Sequence, residues 1–244
     1  FTIPAATLLL NDSDAENDEL TISEVKDPSN GLVSIADGVI SFDPDDNYFG
    51  PASFDYVVID GNGGSDTVTV SLMIDAVNDA PVVNLDTGDC GIGYTTDFTE
   101  NGVAQTIVDS TVTITDVEGQ DLQGATIVLA NGRVGDSLVV SGLPSGLGVV
   151  VTPPGALTVA GSITVQLTGT ADASTYQAAL QSISFTSDSE DPGSADRTIF
   201  VTVTDGVANS DSAITTVRVT PVNDAPTAAA DGAYLTNEDT PIVL

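Results

Sequence analysis

Val77-Asn78-Asp79-Ala80-Pro81 returns as Val222-Asn223-Asp224-Ala225-Pro226, and each copy closes an alternating apolar run. Upstream of each lies an Asp-Gly pair, Asp60-Gly61 and Asp205-Gly206, whose Asp precedes the Asn by 18 positions in both copies. A register repeated in this way marks a duplicated structural unit. It divides the 244 residues into a module at 1–81, a longer module at 82–226 and the start of a third at 227–244. The last residues, Asn237 to Leu244, carry the turn signal and first apolar residues of a new strand, which Phe1-Thr2-Ile3 would continue. The chain therefore reads as an interior piece of a longer array.

Between the repeated stretches the pattern is that of strands. Thr21–Val25 and Val39–Phe42 are short half-buried strands in module one, and Ser53–Ile59 and Thr67–Ile74 longer ones. Turn clusters separate them at Asn11–Glu19, Asp27–Gly31, Asp43–Asp46 and Gly61–Gly64. Short strands with turns about every 8 to 12 residues predict an antiparallel β-sandwich of about seven strands, and nothing in module one has helical spacing. Module two repeats the plan with an insertion: Asp14 and Asp60 are 46 positions apart, their counterparts Asp116 and Asp205 are 89 apart. The extra length holds strands at Ser137–Ser141 and Leu157–Gly169, a turn at Pro153-Pro154-Gly155, and one short helix at 172–180 behind an N-cap candidate, Asp172. The fold class is all-β, with tandem antiparallel β-sandwich modules joined by short linkers.

Composition narrows the function. The chain has 36 acidic residues, 29 Asp and 7 Glu, against 4 basic ones and no His, a formal net charge of −32. Nucleic acid demands a basic footprint and is excluded as a partner. Cys90 is the only cysteine, so neither an internal disulfide nor a multi-thiolate metal site can form. No apolar run reaches the length of a membrane span, so direct membrane insertion is not expected. The glycines lie in turns between strands rather than opening a helix, which excludes a phosphate loop. Without His or Trp a hydrolytic cleft lacks its usual furniture, and the chain is read as non-enzymatic.

The chemistry sits in the turns. Asp12 and Asp14, in Asn11-Asp12-Ser13-Asp14-Ala15-Glu16-Asn17-Asp18, can turn carboxylate oxygens inward together, and calcium requires six to eight oxygen ligands. The comparable loop of module two is Thr115-Asp116-Val117-Glu118-Gly119-Gln120-Asp121. Neither fits the helix-flanked EF-hand loop. An Asp-x-Asp loop by itself is more often a solvated turn, so the wider arrangement decides. Asp60-Gly61 ends a strand, Asn78-Asp79 ends the module, and a Glu stands near each later module start, Glu100 in Phe98-Thr99-Glu100-Asn101-Gly102 and Glu238 in the third.

This arrangement resembles the cadherin repeat superfamily, and more closely the cadherin-like tandem domains of large bacterial surface and RTX-type adhesins. There an Asp-x-Asp loop, a later Asp near a strand end and a linker similar to Asp-x-Asn-Asp-Asn-Ala-Pro gather around calcium between successive repeats. The matching residues here are Asp12 and Asp14, Asp60, and the linker Asp75 to Pro81. Val77 and Val222 replace the first linker Asn, Thr220 stands where Asp75 supplies the leading Asp, and the family's Asp-Arg-Glu motif has an echo in Asp196-Arg197-Thr198.

The resemblance implies Ca²⁺ as cofactor. It assigns Asp75, Asn78, Asp79, Asp116, Glu118 and Asp205 to the junction between modules one and two. Glu100, Asn223 and Asp224 would serve the next junction, while Asp12, Asp14, Asp18 and Asp60 would face a preceding module, with weaker occupancy at these outer ends. It further implies a calcium-stiffened extender segment of a secreted or cell-surface bacterial adhesin, its partners the neighbouring repeats of the same chain. The alternative is a module that itself contacts the ligand, either a polysaccharide or like modules on another cell. Tyr48, Phe49, Phe54, Tyr56 and Tyr94 are the residues that would supply a sugar platform, although Phe54 and Tyr56 alternate as core residues do.

Overall fold

The computed structural model describes residues 1–88 and 91–229. The expected start of a third module at 227–244 lies, from residue 230 on, outside the described residues, as do Cys90 and Glu238. The chain divides into two compact units, Phe1–Pro81 with Thr115–Gln120, and Val82–Ile114 with Asp121–Leu244.

The first unit contains six strands: β1 (Thr2–Pro4), β2 (Thr21–Ser29), β3 (Gly31–Ala36), β4 (Val39–Pro44), β5 (Gly50–Ile59) and β6 (Ser65–Ile74). They form two antiparallel sheets of order β1-β4-β3 and β2-β5-β6. Alternation explains the packing. Along β5 the residues Ala52, Phe54, Tyr56 and Val58 are buried while their neighbours are not. Phe54 of β5 stacks on Phe42 of β4 at a centroid separation of 6.1 Å, so the two sheets meet through these rings. Burying each such side chain contributes about 1.5–3 kcal/mol. β3 and β4 are joined through Asp37-Gly38, both at positive φ, with Ala36 paired to Val39; a two-residue Asp-Gly link of this kind matches the twist of a hairpin.

Three expectations for this module are corrected. The strands number six rather than about seven, and a helical segment is present after all, α1 (Ala5–Leu8), continuing as a 3₁₀ turn at Leu9–Asn11. It is too short to show a periodicity, and it packs Ala5 and Leu8 against the core. The stretch from Asp27 also does not end its strand: β2 runs through it to Ser29, with the register shifting between Lys26 and Ser29 and Asp27 at φ 48°. Here a bulge absorbs the turn-forming residues.

The second unit contains β7 (Val82–Asn84), β8 (Tyr94–Thr99), β9 (Gln105–Thr106), β10 (Thr113–Thr115), β11 (Leu122–Gly132), β12 (Asp136–Val140), β13 (Gly148–Thr152), β14 (Gly161–Ala171), α2 (Ala173–Gln181), β15 (Ile183–Ser187), β16 (Arg197–Thr204) and β17 (Ala213–Thr220). A six-stranded sheet of order β13-β14-β11-β16-β17-β8 accompanies the three-stranded β12-β15-β9 and the pair β10-β7. β17 pairs in parallel with β8, whereas the other ladders of the large sheet are antiparallel. Phe98 of β8 meets Phe185 of β15 edge to face at 5.3 Å, joining the two main sheets in a core with Ile127, Ile163, Val165, Tyr176 and Val201.

The insertion is built as expected at β12 and α2. Asp172 caps the helix, accepting from Thr175 N at 2.7 Å and Ser174 Oγ at 2.8 Å. The strand expected from Leu157 begins only at Gly161; Leu157 is buried in the preceding loop instead.

Candidate metal centres

Three acidic regions emerge from the loops. In module one, Asp14 anchors its own turn by accepting from Glu16 N at 2.8 Å and Asp18 N at 3.0 Å. Asp60 follows β5 and accepts from Asn62 N at 2.7 Å and Gly64 N at 3.0 Å. These backbone bonds, that from Asn62 foremost, hold the Asp60 carboxyl below the usual carboxylate range. A Cβ at Gly64 would lie 2.3 Å from Asp60 Oδ2, so glycine is what lets the carboxylate fold over this turn. Asn62 Nδ2 donates to Asp18 Oδ2 at 2.7 Å and ties the two loops together.

As a result Asp14, Asp18 and Asp60 each present an oxygen within 4.8 Å of the others. Oxygens sharing one calcium ion at 2.3–2.6 Å can be at most about 4.6–5.2 Å apart, so the spacing fits a single ion. Asp12 is not in that group. Its Oδ2 accepts from the Tyr56 hydroxyl at 2.8 Å, and it lines the same open pocket of about 410 Å³. Burial, reinforced by this bond to Asp12, pushes the Tyr56 phenol up to about 12.

The second region lies in the linker, where Asp79 N donates to Glu118 Oε2 at 3.1 Å and Gln120 Nε2 donates to Asn78 Oδ1 at 3.2 Å. Asp116 Oδ1 accepts from Glu118 N at 3.1 Å, whereas Asp116 Oδ2 is buried with no donor in reach. Asp75, Asp79 and Glu118 line one pocket of about 300 Å³, and Asp75 itself is exposed. Asp205, in the second unit, is buried at the end of β16 and accepts from Val207 N at 2.6 Å and Ala208 N at 2.7 Å.

The third region is in module two. Glu100 follows β8 and is only 4% exposed. Its Oε2 accepts from Val222 N at 2.7 Å, and its own N–H donates to Thr220 O at 3.0 Å. Oε1 is buried with no donor. Glu100, Glu190 and Asp224 each offer an oxygen within 4.8 Å of the others. Asn223 donates from Nδ2 to the neighbouring Asp224 O at 3.1 Å.

Glu190 was missed by sequence reasoning. Its signal was the acidic run Asp188-Ser189-Glu190-Asp191 ahead of Pro192-Gly193, inside the insertion. In the motif echo Asp196-Arg197-Thr198 a few residues on, Arg197 turns inward and is fully buried in an ion pair with Asp136 at 2.5 Å. Of the aromatic residues, Phe54 and Tyr56 are core residues, Phe49 is 43% exposed, and the half-buried Tyr48 donates its hydroxyl to Pro51 O at 2.6 Å.

An all-oxygen donor set without His or thiolate suits a hard cation, calcium above all. Among the described residues, the donorless buried oxygens Glu100 Oε1 and Asp116 Oδ2 point the same way. A buried acceptor that no donor reaches costs ~1–3 kcal/mol, more for a charged group, unless something neutralises it.

Comparison with known proteins adds to this geometry. No curated protein matches the sequence significantly. Among solved structures, a human cadherin-23 fragment of repeats 21–23 is 16% identical at a TM-score of 0.37, covering 82% of this chain and 57% of its own. A mouse cadherin-23 fragment of repeats 22–24 is 14% identical at 0.38, covering 84% and 55%. A protocadherin gamma B7 fragment of repeats 3–6 is 15% identical at 0.39, covering 84% and 42%. The chain thus spans about half the length of these structures, and such TM-scores leave them as likenesses only. Among the described residues no helix is long and apolar enough to cross a membrane. The sequence-family comparison is more specific: residues 1–75 match the cadherin-like domain, and module one is a cadherin-like domain.

Proposed function

We propose that this chain is a non-catalytic, calcium-binding extender segment of a large secreted or cell-surface adhesin, of the bacterial RTX type. The observation that carries the reading is Glu100, a buried carboxylate with one oxygen left without a donor and two further carboxylates beside it. Asp14, Asp18 and Asp60 would hold a second ion, assisted by Asp12. Asp75, Asn78, Asp79, Asp116 and Glu118 would serve the linker that follows module one. Glu100 and Asp224, with Asn223 alongside and Glu190 added, would serve the end of module two.

Bound calcium supplies charge neutralisation and oxygen coordination, and the protein's own residues do the rest. Carboxylates about 4.8 Å apart repel by about 0.9 kcal/mol per pair even at the dielectric of water. Without cations a linker crowded with them is pushed apart, and a divalent ion reverses the sign of that interaction. Extracellular calcium modules work with dissociation constants of about 10⁻⁴–10⁻³ M. Free calcium about tenfold above that constant would stabilise each site by about 1.4 kcal/mol. An array so stiffened behaves as a rod whose length scales with repeat number.

Calcium titration of this chain, followed by melting temperature and small-angle scattering, tests the reading. Both the melting temperature and the maximum dimension should rise together with calcium and fall on chelation. A chain indifferent to calcium in both would overturn the proposal and leave an acidic β-rich spacer.

A further inference from the structure

We infer that Arg197 is a positioning residue for the cation site of module two: from behind the insertion's acidic loop, its guanidinium holds that loop so that Glu190 stands opposite Glu100 and Asp224. The inference rests on the calcium reading above and concerns a residue that cannot itself touch a cation.

Arg197 opens β16 with a fully buried side chain. Nε donates to Asp136 Oδ2 at 2.5 Å and Nη2 to Asp136 Oδ1 at 3.5 Å. The remaining donors go to the loop, Nη2 to Pro192 O at 2.7 Å and Nη1 to Ala195 O. Pro192 stands two residues after Glu190. Asp136 is fixed in turn, since Oδ2 also accepts from Arg133 N at 2.8 Å. The loop's start is tied to the same corner by Asp188 N donating to Gly135 O at 3.0 Å. Its end is held by Asn131, which accepts from Thr198 N at 2.7 Å and donates to Asp196 O at 2.9 Å. Arg197 grips the segment between those ties.

Two physical arguments give the arrangement a purpose. First, Glu190 is exposed, so its own surroundings do not pack it into place, while a shared calcium ion demands oxygens set at 2.3–2.6 Å. Second, a buried ion pair is rarely needed for stability, because apolar residues of similar volume usually serve as well. What apolar residues lack is the fork of donors that addresses one carboxylate and two carbonyls at once, and a lysine's single ammonium cannot span them either. The pair therefore makes most sense as a clamp on loop geometry.

The test uses this chain, with backbone amide shifts followed during calcium titration. Glu100, Glu190 and Val222 report the module-two site, and Asp14 and Asp60 report module one as an internal reference. The double substitution Asp136→Leu/Arg197→Met removes the clamp without leaving an unpaired charge. It should keep the calcium-free melting temperature near that of the parent, weaken calcium at the module-two site by about 10- to 100-fold, as loss of outer-shell support does at metal sites, and leave module one unchanged. Arg197→Lys should fall between the two, and it decides the matter should the double variant fail to fold. A folded variant of either kind that binds calcium at Glu100 and Glu190 as tightly as the parent overturns the clamp. Glu190→Gln separates this outcome from failure of the calcium reading. If it weakens the site while the clamp variants do not, only the positioning role falls. If the parent shows no calcium response at Glu100 and Glu190, the site itself falls, and the clamp with it.

Discussion

In module one, Asp14 and Asp60 each engage backbone N–H groups of their own turns, and Asn62 bridges Asp18 to the Asp60 turn. In module two, Glu100 has one oxygen bound by Val222 N and the other buried without a donor, and it offers an oxygen within 4.8 Å of those of Glu190 and Asp224. The first cluster is half exposed and shaped by local turns; the second draws its members from the segment after β8, the insertion and the segment after β17. The difference teaches that backbone donors let carboxylates gather without a cation, whereas a carboxylate oxygen buried without a donor is one that a cation would neutralise. Module one should therefore bind calcium with little change in its own stability, and module two should depend on it.

The largest expected effect comes from Glu100→Gln. It removes a buried charge and supplies an amide that can donate to Glu190 or Asp224, so in chelator the variant should melt at or above the parent. In calcium it should lose the stabilisation the parent gains, a swing of ~1–3 kcal/mol between the two conditions. Melting curves in chelator and in calcium check both signs, and a variant that melts lower in both would break the contrast drawn here. Next in size is Asp60→Asn, which keeps an oxygen for Asn62 N and Gly64 N but loses the charge. Calorimetry should show the module-one affinity falling by about tenfold, or 1.4 kcal/mol, while the melting temperature in chelator barely moves.

These contrasts were only partly legible in the sequence. The all-β, tandem plan followed from the repeated pentapeptide and the alternation in β5, because a period of two is a direct consequence of a half-buried strand. Asp172 was readable as a cap because the helix behind it is short and Ala-rich. What could not be read was how each carboxylate is used. Asp12 and Asp14 look equivalent in the sequence, yet one is held by Tyr56, 44 positions away, and the other by its own turn. Glu190 lies in an insertion, so no repeat register points to it. Asp196-Arg197-Thr198 echoes a family motif in the sequence, whereas the Arg197 side chain follows the alternation of β16 into the core. Local order is legible; the choice of partner is a tertiary fact.

Tyr56→Phe sharpens the module-one side with a smaller effect. The ring remains in the core and only the hydroxyl bond to Asp12 is lost, costing about 0.5–1.5 kcal/mol of stability. If Asp12 assists the neighbouring trio, releasing it should also weaken module-one calcium binding a few-fold. Titration calorimetry of the variant measures this, and unchanged affinity would confine Asp12 to a structural role.

The smallest expected effect is at Asp172, where an acidic group has a purely local duty. Bonds from Thr175, ahead of Ser174, hold its carboxyl below the ordinary value of 3.8. A carboxyl depressed in the folded state contributes stability that is fully present above its unfolded value and is lost as pH falls through the folded one. Asp172→Ala should therefore lower the melting temperature by a few degrees near neutral pH. The gap to the parent should close progressively below pH 3.8 as the parent's own cap is protonated. Asp172→Asn, which still accepts from Thr175 N, should stay close to the parent throughout. Both variants should bind calcium as the parent does. A loss of calcium affinity in either would mean that helix order in the insertion reaches the loop carrying Glu190, and the two acid clusters would then differ in their support as well as in their burial.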